Sequence, residues 1–239
     1  HAGLGMDYIL YQSKKILKPH DIAILPLEYS FYQVDGLPSE VYIDYIFSRD
    51  VEYFKSLPFL SQISIVFSTS FERLFNGYKY FITSLKKTSG VYGIQNINKY
   101  GDQININFNQ MTENDFIFLN SLNYKRLKSS NISKEFEKLM NEYIQWANDN
   151  QIKVVFMPPN YMHFTYYDSN EYLEFLNNIY RFYQDKNLIF IGDSKKYMYE
   201  KNLYYNSVYH LNDKGVEIRT NQIINDLKNN ILWRNIINE

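Results

Sequence analysis

The chain has 239 residues, 45% of them hydrophobic and 21% charged, with a net charge of −1. That is enough for one large domain, or one domain with an insertion, and it gives no electrostatic case for nucleic acid or an anionic membrane. Cysteine is absent, which excludes disulfides, thiolate chemistry and Cys-based zinc sites but suits an exported or a cytoplasmic protein equally.

Met6, Ile9, Leu10, Ile16 and Leu17 recur at helical spacing, so residues 4–18 are predicted as an amphipathic helix ended by Pro19. Asp21 to Leu27 is continuously apolar without alternation, as in a strand covered on both faces, and Pro26 marks its end. Residues 39–88 read as mostly helical, with a break at Leu57-Pro58. Residues 89–131 are the least regular: Gly90, Gly93 and Gly101 punctuate them, and Ile104 to Phe108 alternates like a two-faced strand. The pattern then returns with a helix capped by Ser133 (stripe Phe136, Leu139, Met140, Tyr143, Ala147) and a buried strand over Ile152 to Met157. A helix over about 170–184, a strand over Asn187 to Ile191 and a last main helix over about 213–229 follow. Strands alternating with helices predict a parallel sheet sandwiched by helices. The expected core is about 1–44 and 131–239, with a mostly helical insertion over about 45–130.

No apolar run reaches the roughly 18–20 residues needed to span a bilayer; the most apolar, Leu57 to Phe67, is interrupted by Ser61, Gln62 and Ser64. The chain opens on His1-Ala2-Gly3-Leu4-Gly5 without Met. An upstream segment is therefore expected, and any membrane anchor would lie there. The 24 Tyr and 17 Phe could supply stacking platforms for a sugar. Their company of abundant Asn, Ile and Lys reads first as a composition bias.

Ligands of parallel sheets bind at the carboxyl ends of the strands, here Glu28-Tyr29, Pro159 to His163, Gly192 to Ser194 and the segment ending in His210. His210 closes the aromatic, β-prone stretch Tyr204 to Tyr209 just before a helix, where a general base would sit; the alternative is a histidine that caps or packs. His163 could contact substrate from its loop or simply face solvent, and His20-Asp21 lies at the opposite end of its strand. The four histidines have no paired spacing, so no metal site is expected. There is no Gly-rich phosphate loop, no placed carboxylate pair and no sign of a cofactor. The Lys86-Lys87 and Lys195-Lys196 pairs read as solvated surface.

Gly192-Asp193-Ser194 after a strand resembles the nucleophile block of SGNH (GDSL-type) hydrolases. In that family the block lies near the N-terminus, whereas Ser194 precedes His210 by only 16 residues. It therefore reads as a coincidental turn. A better resemblance is to SGNH-like proteins encoded with bacterial surface-polysaccharide genes. His1 to Gly5 resembles their glycine-bearing second block, Ile22 to Glu28 their next strand, and Tyr205 to Asn212, with Gly215 and Ile218-Arg219-Thr220, their terminal histidine block.

The resemblance implies a three-layer, flavodoxin-like sheet and an acyl-ester hydrolase or O-acyltransferase acting on a cell-surface polysaccharide or other carbohydrate. It implies a place in the cell envelope, with the cytoplasm as the alternative. It makes His210 the base, puts Asn206 where the triad acid is expected and places Glu28-Tyr29 near the block that helps form the oxyanion site; together with the strand-end positions, the expected substrate contacts are Gly3, Glu28, Tyr29, Tyr161, His163 and Tyr209. The nucleophilic serine would precede His1. Asparagine can orient the ring but cannot stabilise imidazolium as a carboxylate does. A catalytically inactive polysaccharide-binding or assembly module is therefore the second reading. An unrelated flavodoxin-like domain, with His210 buried away from any cleft, is the third.

Overall fold

Three short parallel strands order the larger part of the chain. β1 (Ile22–Leu25), β2 (Lys153–Phe156) and β4 (Ile189–Phe190) pair side by side in that order, with Ile22 opposite Lys153 and Val155 opposite Ile189. In the computed structural model, residues 2–36, 38–72, 75, 96–99, 103–104 and 106–237 are described. The chain is α/β, mostly helical, and divides into one compact unit of residues 1–14 and 36–104 and another of 15–35 and 105–239. These limits differ from those of the insertion drawn from the sequence at 45 and 130. The glycines at 90, 93 and 101, the Lys86-Lys87 pair and His1 lie outside the described residues.

In the first unit, α1 (Met6–Ile16) is shorter than the predicted 4–18, and the predicted helical stretch from 39 resolves into α2 (Glu40–Arg49), α3 (Val51–Ser56) and α4 (Phe59–Phe67). Asp50 breaks the run by capping α3, its side chain accepting from the Tyr53 amide. The core holds Tyr8, Tyr42, Ile43, Ile46, Tyr53 and Ile65. Its phenols are satisfied by two carboxylates: Asp7 accepts from Tyr42 and Tyr53 at 3.0 and 2.8 Å, and Asp50 from Tyr8 at 2.9 Å. Among the described residues of the segment Ile104 to Phe108, the expected two-faced strand is not seen. Ile97 and Gln103 make one antiparallel bridge, and Phe108–Gln110 is a 3-10 turn. The Ile106 carbonyl and the Phe108 amide are instead taken by the backbone and side chain of Asp213, at 3.1 and 2.7 Å.

In the second unit, α5 (Glu113–Ser121) precedes α6 (Lys134–Asp149), α7 (Asn170–Asp185), α8 (Asp213–Asn229) and α9 (Ile231–Ile237). Successive strand residues point to opposite faces. Ala23 and Ile152 cluster with Ala147 of α6, and Phe156 stacks on Tyr183 of α7 at 4.1 Å. Val155 and Ile191 instead cluster with Ile223 and Leu227 of α8 and Trp233 of α9. A second, two-stranded parallel sheet pairs β3 (Tyr161–Met162) with β5 (Met198–Tyr199). The predicted late strand shrinks to two residues in β4.

Candidate functional site

The stretch from Tyr204 to Leu211, expected to be strand-like, is a loop closed by a single antiparallel bridge between its two ends. Its own side chains outcompete a ladder. Ser207 Oγ accepts from the Tyr209 and His210 amides at 3.2 and 3.1 Å, and the Tyr205 amide donates to the His210 carbonyl at 2.8 Å.

Asn212 anchors the loop to α8. Its side chain is wholly buried: Oδ1 accepts from the Gly215 amide at 3.0 Å, capping the helix, and Nδ2 donates to the Asn202 and Tyr204 carbonyls at 2.8 and 3.3 Å. Gly215 is required by space, since a Cβ there would sit 2.4 Å from the Leu203 carbonyl oxygen.

The loop is latched to the chain leaving β2. The Met162 amide donates to the Val208 carbonyl at 2.9 Å, Asn160 Nδ2 donates to the Tyr209 carbonyl, and the Tyr161 and Tyr209 rings stack at 4.6 Å. His210 is exposed, and its Nδ1 lies 2.8 Å from Asn206 Oδ1. An amide oxygen only accepts, so Nδ1 carries the proton and Nε2 is the basic nitrogen. Surrounding protein lowers the His210 pKa by desolvating the imidazolium. The ring is therefore held neutral around pH 7, in the tautomer a proton acceptor needs.

Beside this loop lies a cavity of about 410 Å³, whose lining includes Glu28, Tyr29, Tyr161, Tyr172, Val208 and Tyr209. Glu28 and Tyr29 follow β1 and Tyr161 follows β2, so the cavity opens beyond the carboxyl ends of those strands. Burial raises the Glu28 pKa, opposed in part by Lys125. Burial also pushes the hydroxyls of Tyr29, Tyr161, Tyr172 and Tyr209 far above their ordinary range, so all four are neutral phenols at physiological pH.

Of the residues singled out from the sequence, Glu28, Tyr29, Tyr161 and Tyr209 thus share one cavity, with the His210–Asn206 pair on the adjoining loop. His163 does not line it; its Nε2 meets Asp168 at 3.1 Å. Gly3 belongs to the first unit, where its carbonyl accepts from Ser39 Oγ at 2.8 Å. Gly192, at φ +101°, turns the chain after β4, and Asp193 accepts from the Lys195 amide at 3.0 Å to start a 3-10 turn at Ser194. The lining also takes in Tyr172, Lys125 and Arg126, which sequence reasoning passed over. The adjacent Lys125-Arg126 pair after Tyr124 was the only local signal.

The chain matches no protein-family model, no curated protein and no solved structure. Among the described residues no cluster of three or more His, Cys, Asp or Glu could hold a metal ion, and no helix is long and apolar enough to cross a membrane.

Proposed function

We propose that the chain is an SGNH-like domain acting on acyl esters of a surface glycan, as O-acyltransferase or esterase, with His210 as general base. One observation carries this reading: the 2.8 Å contact from His210 Nδ1 to Asn206 Oδ1, on a loop beside a tyrosine-lined cavity at the strand ends. Nε2 would take the proton of a serine hydroxyl as it attacks the acyl carbonyl. The resemblance assigns that serine to a position before His1. Water or a sugar hydroxyl would then receive the acyl group, with the proton returned from the imidazolium. Side chains of the parallel sheet packing on α6 and α7 from one face and on α8 and α9 from the other support a three-layer, flavodoxin-like arrangement. The cell envelope is the compartment this reading favours, with the cytoplasm as the alternative.

Asn206 gives a specific reason to keep a second reading, a catalytically inactive glycan-binding module, because the ring's Nδ1 meets an amide oxygen where a triad would place a carboxylate. The deciding experiment is His210→Ala in the full-length gene product, assayed on an acetyl ester. Turnover is expected to fall by about 10²–10⁴-fold, the share general-base catalysis supplies, with an unchanged melting temperature because the side chain is exposed. Undiminished turnover in the variant overturns the assignment of the base. A wild-type protein with no turnover at all favours the binding module.

A further inference from the structure

The cavity beside His210 carries five charged side chains: Lys125, Arg126 and Lys128 against Glu28 and Asp35. Lys128 and Asp35 neutralise one another through an ion pair at 2.9 Å. Lys125 and Arg126, both exposed at the rim, make no close ion pair with a carboxylate among the described residues, and Lys125 acts on Glu28 only through its charge. Glu28 alone opposes them, one carboxyl against two cations. A chain of net charge −1 therefore concentrates positive potential at one cavity mouth.

Inside the mouth the surface changes character. Tyr29, Tyr161, Tyr172 and Tyr209 line it; the first three are buried, and the ring of Tyr161 is held between Tyr209 at 4.6 Å and Tyr167 at 4.9 Å. The part-buried Tyr209 supplies apolar ring surface of the kind a pyranose packs against, over a tyrosine wall that carries no charge. A volume of about 410 Å³ is in the range of small-ligand sites and accommodates a short oligosaccharide segment.

From these juxtaposed features we infer that the cavity binds an anionic glycan, its sugar ring among the tyrosines and its acidic substituent at Lys125 and Arg126. This deepens the glycan reading above and rests on it. Arg126 would supply the forked donor that carboxylate and phosphate groups match, and Lys125 a point charge beside it.

The test is titration calorimetry of the full chain at low ionic strength with tetragalacturonate, the neutral maltotetraose and a polyglutamate peptide of matched charge. Two screened cations at contact distance predict about tenfold tighter binding of the acidic than of the neutral tetrasaccharide, a ratio that shrinks as salt is raised. The Lys125→Ser/Arg126→Ser double variant, altered only at exposed positions, should keep its melting temperature and lose that ratio. Equal affinity for the two sugars, or a ratio the double variant retains, overturns the anionic assignment while leaving the glycan reading standing. Polyglutamate binding as tightly as tetragalacturonate also overturns it, reducing the rim to a general anion site. Failure of both sugars to bind removes the glycan reading and this inference with it.

Discussion

Replacing Asn206 by Asp tests the proposed base at a single atom, since the two side chains are nearly isosteric and Nδ1 already lies 2.8 Å from the oxygen concerned. The substitution leaves the acceptor in place and adds a negative charge. For charge centres about 4 Å apart, the attraction to imidazolium is about 1 kcal/mol in water-like surroundings and about 4 kcal/mol at an effective dielectric near 20. His210 is exposed and Asn206 half-buried, which puts the pair near the lower end, about 1–2 kcal/mol. That corresponds to roughly a tenfold shift of the protonation equilibrium toward imidazolium.

Ring ¹⁵N NMR reads both quantities. In the wild type the neutral His210 ring should carry its proton on Nδ1 and titrate below the ordinary histidine value of 6.5, because the protein around the ring partly desolvates the charged form although its surface stays exposed. In Asn206→Asp the tautomer should persist while the midpoint moves up. In Asn206→Leu, which removes the acceptor, the tautomeric preference should disappear. A wild-type ring protonated on Nε2, or a midpoint that the aspartate does not move, refutes the argument that Asn206 orients the base. If the amide limits catalysis, acyl-ester turnover should rise in the aspartate variant, since the opposite change in a serine triad costs about 10⁴-fold in kcat.

Two further outcomes concern the scaffold. Gly215→Ala should destabilise the second unit by about 1–3 kcal/mol through overpacking, because its Cβ meets the Leu203 carbonyl oxygen at 2.4 Å and Leu211 Cδ2 at 2.9 Å; an unchanged urea midpoint contradicts that contact. Glu28→Gln should stabilise the protein at neutral pH. Burial raises the Glu28 carboxyl above its ordinary 4.5, so the folded chain holds that proton more tightly than the unfolded one. The contribution to stability is then fully present below about 4.5 and is lost as pH rises through the folded value. The gap between variant and wild type should accordingly close in acid. A gap that widens in acid reverses the sign and rules out burial as the dominant cause.

The helical framework of the second unit was legible because its periods are long and its caps local. The stripe of Phe136, Met140, Tyr143 and Ala147 and the cap at Ser133 specify α6 without tertiary help. β1 and β2 were legible as uninterrupted apolar runs. By contrast, β3 and β5 are two residues each and exist only because Tyr161-Met162 meets Met198-Tyr199 across the fold. No periodicity can show through so short a stretch. The Tyr204 to Tyr209 stretch misled for a related reason: aromatic residues favour strands, but Ser207 and Asn212 offer the backbone nearer partners.

The site divides in the same way. His210 and Asn206, four residues apart on one loop, could be paired from the sequence through the resemblance, and their contact is local enough for that spacing to determine it. The cavity could not be read so. Glu28, Lys125, Tyr161 and Tyr209 come from four separate segments, and only the return of the chain past β2, fixed by Asn160 and Met162 holding the Tyr209 and Val208 carbonyls, brings them together. A composition rich in tyrosine also hides a cluster of tyrosines, because a frequent residue carries little positional information. What distinguishes Tyr29, Tyr161, Tyr172 and Tyr209 is that they line one opening beside the His210 loop, a property of the folded chain. That is why the base and the cavity call for separate tests: ring titration reports on a contact written into one loop, whereas oligosaccharide binding reports on whether the distant segments are assembled as described.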